Sequence, residues 1–286
     1  MLAITLDIDW SPDPIVDAVM ELFEKRRIPV TLFCTNPDTD RSGNSSNLRG
    51  RYDERHELAL HPYFGDFADH EAVLRDLLAH YPNAQGFQSH NGNTGWPIWS
   101  AAFRRGLKYE VDCRVFPVDV PPFVLGDPKG FCVFVNRFMD ANLLHQAHEC
   151  LSIDHVPLTH QATSETCLFL IKFHPNIIYY DMRSTSDYKQ HKPYYHEPRE
   201  QLSFRRNAPR GAAKLLVDVL SSVERDHFTT ISNFGRSLDF WPATDQRGSA
   251  VPNDPLSPIR EPKGMVPSVG TDLAVRRGVV KRKTFR

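Results

Sequence analysis

The sequence predicts an α/β protein built on a parallel sheet, closed as a barrel or left open. Two observations predict it. Short apolar, β-rich runs alternate with segments of helical period along most of the chain. Several of those runs also stop on an aspartate or a histidine, and parallel folds gather such strand ends on one face. At 286 residues and 24% charged, the chain can bury a sizeable core, and the pattern divides it into a domain over 1–237 and a tail over 238–286.

The opening run Leu2-Ala3-Ile4-Thr5-Leu6-Asp7-Ile8-Asp9-Trp10 reads as a buried strand ending in two carboxylates. Side chains alternate along a strand, so Asp7 and Asp9 face one side, roughly 6.5–7 Å apart along the chain. Like charges that close need a cation or a proton between them. The bland alternative is a solvated strand end. Ser11-Pro12-Asp13-Pro14 then signals a helix start, with Ser11 or Asp13 able to cap. Ile15 to Arg27 carries a helical apolar stripe, and Val30 to Thr35 is β-rich, completing a strand–helix–strand unit.

Residues 36–51 are polar and read as a loop. Glu57 to Pro62 predicts a third strand that delivers His61, residues 69–80 a helix, and Gly86 to His90 a short strand that delivers His90. Pro97 to Arg105 predicts a helix, Leu107 to Asp112 a strand, 116–128 a proline-rich loop, and Gly130 to Val135 a sixth strand. Residues 141–166 fit neither period. Leu168-Phe169-Leu170-Ile171-Lys172-Phe173-His174 is the clearest late strand, ending on His174. Residues 181–206 are a long polar segment, Ala208 to Arg225 predicts a helix, and Phe228 to Ile231 a last strand. Beyond Leu238, Pro, Gly, Ser and Asp dominate, the composition of a disordered or loosely attached tail.

A formal net charge of −1 excludes a general pull toward nucleic acid or anionic membrane, and the basic run from Arg276 to Arg286 reads as a solvated end. No apolar run is long enough to span a bilayer. The N-terminus lacks a basic region before an apolar stretch, so no secretory signal is predicted and a cytoplasmic protein is expected. The five cysteines (Cys34, Cys113, Cys132, Cys150, Cys167) are odd in number, show no CxxC, and read as reduced thiols.

Two histidines, a carboxylate and an open position suit a catalytic divalent ion, zinc being the usual occupant. Any one of thirteen histidines is more often a surface or satisfied core group. The shared strand-end placement is what raises His61, His90 and His174. Trp10, Tyr63, Trp96 and Trp99 lie beside these motifs, where sugar stacking or core packing would use them.

The order of motifs resembles the NodB-type polysaccharide deacetylases, most of all the divergent WbmS-type branch. Leu6-Asp7-Ile8-Asp9-Trp10-Ser11-Pro12-Asp13 stands where that family has Thr-Phe-Asp-Asp-Gly. His56-Glu57-Leu58-Ala59-Leu60-His61-Pro62 is similar to its His-Glu-Ile-Gly-Asn-His, and Phe169 to Pro175 looks like its late strand with a terminal histidine. The resemblance spans residues 1 to 235 and implies an irregular parallel (β/α) barrel. It also implies a metal-dependent hydrolase that removes an acetyl group, as amide or ester, from a sugar or surface-polysaccharide precursor. By resemblance Asp7 is the base, Asp9 and His61 hold a divalent ion (zinc, with cobalt or nickel as alternatives), and His174 is the general acid.

The sequence departs from the pattern at three places. Ile8 separates the carboxylates, so the residues alone leave open which is base and which is ligand. Gly65 stands where the family has its second metal histidine, and Phe87-Gln88-Ser89-His90-Asn91 replaces an arginine-bearing motif. His90 is the expected substitute ligand. Two rival classes remain on sequence grounds: a metal-dependent glycoside hydrolase on a related barrel, and a carbohydrate-binding protein that has lost the metal.

Overall fold

The structure is a computed structural model; it describes residues 1–9, 11–36, 48, 50–65, 69–115 (side chains of 113 and 115 apart), 131–142, 153, 156, 167–194 and 211–238. Seven strands run in chain order around a closed barrel: β1 (Leu2–Asp7), β2 (Thr31–Cys34), β3 (Glu57–Leu60), β4 (Gly86–Phe87), β5 (Tyr109–Val115), β6 (Cys132–Met139) and β7 (Phe169–Phe173). Every pairing is parallel, and β1 closes the ring against β7 with Thr5 opposite Lys172. All strand carboxyl ends therefore open on one rim.

The helices are α1 (Asp13–Arg26), α2 (His70–His80), α3 (Trp96–Arg104), α4 (Pro175–Tyr179), α5 (Thr185–His191), α6 (Ala212–Ser222) and α7 (Ile231–Ser237). Two apolar clusters explain the layers. Ala3, Phe33, Ala59, Tyr109, Val111, Phe134 and Leu170 fill the barrel interior, while Leu2, Ile4, Leu6 and the buried stripes of α1, α2 and α6 pack outside it. β1 is buried along its whole length because both faces are covered, which is why it reads as a continuous apolar run. Gly86 is needed at its place: an added Cβ would lie 2.4 Å from the Tyr109 ring.

At the amino-terminal end of the barrel Glu57 collects donors. It accepts from Tyr109 Oη at 2.7 Å, Thr31 Oγ1 at 3.0 Å and the Ser232 backbone N–H at 3.0 Å. The last bond seats α7, whose Ile231 and Phe234 join the interior cluster.

Several expectations are corrected. Pro12 occupies the N-cap position of α1 with no side-chain capping bond, in place of a Ser11 or Asp13 cap, and Asp13 instead pairs with Arg51 at 2.6 Å. The sixth strand continues past Val135 to Met139, because Asn136 is buried and donates to the Asp112 carbonyl at 2.5 Å, so its polarity does not end the strand. Residues 228–231 form one bridge, Leu2 to Phe228, and then turn into α7 with Thr230 as cap. Trp10, most of the loops predicted over 36–51, 116–128 and 141–166, and the tail from 239 onward lie outside the described residues. Among the described residues no helix is long and apolar enough to cross a membrane.

Candidate metal and acid–base site

The barrel rim brings Asp7, Asp9, His61, His90 and His174 together. Asp7 ends β1 and is 2% exposed; Asp9 lies two residues on. His61 follows β3, its backbone N–H bonded to Cys34 O at 2.7 Å. His90 opens the turn after β4, its N–H bonded to Pro62 O at 2.9 Å. His174 follows β7 and begins α4.

Three of these converge. His61 Nε2 lies 3.6 Å from Asp9 Oδ1, His90 Nδ1 lies 3.4 Å from Asp9 Oδ2, and the two imidazole nitrogens are 3.2 Å apart. Tetrahedral zinc with bonds of about 2.0–2.2 Å separates its ligand atoms by roughly 3.3–3.6 Å, so the set fits a divalent ion. The donor chemistry agrees. His61 Nδ1 donates to the Gln88 carbonyl at 2.8 Å, which fixes the tautomer that turns Nε2 to the site. Burial first, and then His61 beside it, hold His90 below the ordinary imidazole range, in the neutral form a metal takes. Asp9 Oδ1 is buried without a hydrogen-bond partner among the described residues.

Beside this triad stand two buried acid–base pairs. Lys172, 4% exposed and one interior position below His174 on β7, forms an ion pair with Asp7 Oδ2. Burial alone would raise the Asp7 carboxyl, but Lys172 chiefly, then His61 at 3.8 Å and His174 at 3.9 Å, hold it below the usual range. Asp7 Oδ1 has no hydrogen-bond partner among the described residues. On the other side Asp140, fully buried at the end of β6, accepts from His174 Nδ1 at 2.6 Å and from its backbone N–H at 2.8 Å. Burial opposes charge on His174, and Asp140 outweighs it, with Asp7 adding to the effect, so this imidazole is raised above its ordinary value. A carboxylate whose charge Lys172 favours and an imidazole whose protonation Asp140 favours thus flank the convergent triad.

A family model for WbmS-like polysaccharide deacetylases matches residues 4–192. The chain belongs to this family. None of the curated proteins matches it. Among solved structures it is similar to WbmS of Bordetella bronchiseptica, described as a candidate polysaccharide deacetylase involved in O-antigen biosynthesis. That likeness has 19% identity and a TM-score of 0.60 over 77% of this chain and 90% of that one. It is also similar to a candidate polysaccharide deacetylase of Mycobacterium smegmatis (13% identity, TM-score 0.48, 87% and 95% covered). A third is a family 4 acetyl xylan esterase of Clostridium thermocellum in complex with a cobalt ion (11% identity, TM-score 0.44, 82% and 90% covered). At 19% identity the likeness to the Bordetella structure shows the fold.

In this WbmS-like chain Gly65 sits where the deacetylase pattern has its second histidine. It has φ +48°, and an added Cβ would lie 2.8 Å from the Tyr63 ring. That ring packs edge-on against His90, with centroids 5.5 Å apart, and is 55% exposed. Gln88, in place of the motif's arginine, is buried and its amide has no partner among the described residues. The cation beside Asp7 is Lys172. Of the aromatic candidates, Trp96 is 68% exposed, whereas Trp99 packs against the core and donates to Glu110.

Sequence reasoning missed Lys172 and Asp140. The first carried a signal: a lysine inside an apolar strand, two residues before His174 and so on the same face. The second was hidden by ending β6 too early.

Proposed function

We propose that this WbmS-like deacetylase is a metal-dependent hydrolase that removes an acetyl group from a sugar or polysaccharide precursor. The observation that carries the reading is the convergence of Asp9, His61 and His90 between the Asp7 carboxylate, paired with Lys172, and the His174 imidazole, paired with Asp140. Asp9, His61 and His90 would hold the ion, zinc or a similar divalent metal; once bound it supplies Lewis-acid polarisation of the acyl oxygen and a lowered water pKa.

The chain's own groups then divide the proton work. Asp7, ionised and oriented by Lys172, accepts the proton of the attacking water as the C–O bond forms. His174, protonated and fixed through Nδ1 by Asp140, presents Nε2 and gives its proton to the departing sugar nitrogen or oxygen as the acyl bond breaks. Acetate and the free amine or hydroxyl result, and the net proton leaves Asp7 for His174 through solvent. Tyr63, exposed after β3, and Trp96, exposed at the start of α3, are available to stack on a sugar face.

Acetate release from N- and O-acetylated nucleotide sugars and oligosaccharides tests the reading. Release that needs added Zn2+ or Co2+ and falls at least about a hundredfold in Asp7→Asn and His174→Ala supports it. Release of a free sugar without acetate would favour a glycoside hydrolase.

A further inference from the structure

Outside the metal set, the least explained buried ionisable group is Glu110 on β5. It is 1% exposed and faces the turn that bears His90. Its Oε2 accepts from Thr94 Oγ1 at 2.8 Å and also from the Trp99 indole N–H. Thr94 lies four residues beyond His90, and Trp99 lies in α3, so one carboxylate ties the descending arm of the turn to the helix that follows it.

The turn between needs such a tie. Asn91 (φ 59°), Gly92 (φ 72°) and Gly95 (φ 138°) all have positive φ. A non-glycine residue in that region is held there by its surroundings rather than by its own preference. The ascending arm is fixed by His90 N–H to Pro62 O at 2.9 Å and by the β4 pairing. The descending arm has Glu110. Its burial makes the anchor strong, because a buried carboxylate without its donors is costly.

We propose that Glu110 is a positioning residue for His90, clamping the Ser89–Thr94 turn through Thr94 and Trp99 so that the His90 imidazole stays directed at Asp9 and His61. The proposal rests on the reading of His90 as a metal ligand. It accounts for how a turn with two positive-φ residues, Asn91 and Gly92, can supply a ligand from a position where the family pattern has none. Partners that orient a metal histidine typically contribute about 10–100-fold in metal affinity.

The test is a double-mutant cycle read by metal binding rather than by turnover. Apo protein, made by chelation, is titrated with Co2+ and Zn2+ by calorimetry, and the Co2+ d–d spectrum reports coordination. The variants are Glu110→Leu, the gentler Thr94→Val, His90→Ala and each combined with His90→Ala, all checked for native circular dichroism. We expect Glu110→Leu to weaken binding about 10–100-fold and Thr94→Val about 3–10-fold. In the His90→Ala background both effects should shrink to within about twofold, because the clamp then has nothing to position. Equal losses in both backgrounds would mean a general structural role and overturn the proposal, as would unchanged affinity in folded Glu110→Leu and Thr94→Val. Full affinity in His90→Ala alone would instead overturn the ligand assignment, and the clamp's purpose with it.

Discussion

Lys172 and Asp7 form an ion pair from adjacent strands of the barrel, both side chains nearly inaccessible, with Asp7 held below the ordinary carboxylate range mainly by that lysine. The pairing puts a cation on the proposed base from inside the barrel and leaves Asp7 Oδ1 without a hydrogen-bond partner among the described residues. A buried pair of this kind costs desolvation on both sides, and losing one partner strands the other.

Lys172→Met should therefore raise the Asp7 pKa and move the acidic limb of the kcat/KM profile to higher pH. Turnover at neutral pH should fall by about 10–100-fold. The pH–rate profile measures it; an unmoved acidic limb would show that Lys172 does not hold the base.

Asp140→Asn tests the opposite pair. Asp140 raises the His174 pKa, so removing its charge lowers that pKa and brings the alkaline limb to lower pH. The expected pattern is a narrower profile, with the acidic limb unchanged. An alkaline limb that stays in place would separate His174 from the proton transfer.

Glu110 gives a stability prediction independent of catalysis. Burial pushes its carboxyl up to about 7, against the pull of the Trp99 and Thr94 donors and of Arg114, with Asp112 adding to the rise. A carboxyl raised on folding binds more protons in the folded state, so stability falls as pH rises from the unfolded value through about 7. Glu110→Gln removes that dependence. Denaturant melts should show wild type losing about 2–3 kcal/mol relative to the variant between pH 4.5 and pH 8, and a constant difference would contradict the shift.

Restoring the family's histidine should fail. Gly65→His forces a side chain onto a φ of +48° and into the Tyr63 ring, at a cost of about 1–3 kcal/mol. The altered loop should not recover metal affinity in a His90→Ala background. Recovery would show that the family's ligand geometry is still accessible here.

The fold was legible because its signals are local. The continuous apolar run of β1, the stripe of α1 and the strand ends at His61 and His174 each follow from period and burial, and parallel pairing then puts the ends on one rim. The site was legible where a strand end announced it. Asp140 was not, because β6 bulges between Asn136 and Phe138 and carries buried polar residues past the point where periodicity ends a strand. Lys172 was visible, but no local rule says that a lysine in an apolar strand will find its carboxylate on the neighbouring strand. The Phe228–Ile231 run misled for a similar reason: Phe228 makes a single bridge and Thr230 caps a helix, and the run's β propensity yields to packing beneath the barrel.

The measurement that tests the account most directly is the metal content of the purified protein by elemental mass spectrometry, beside His61→Ala. Close to one divalent ion per chain, zinc, cobalt or nickel, is expected after reconstitution, with most of it lost in the variant. No bound metal in the wild type after reconstitution, or full occupancy without His61, would contradict it.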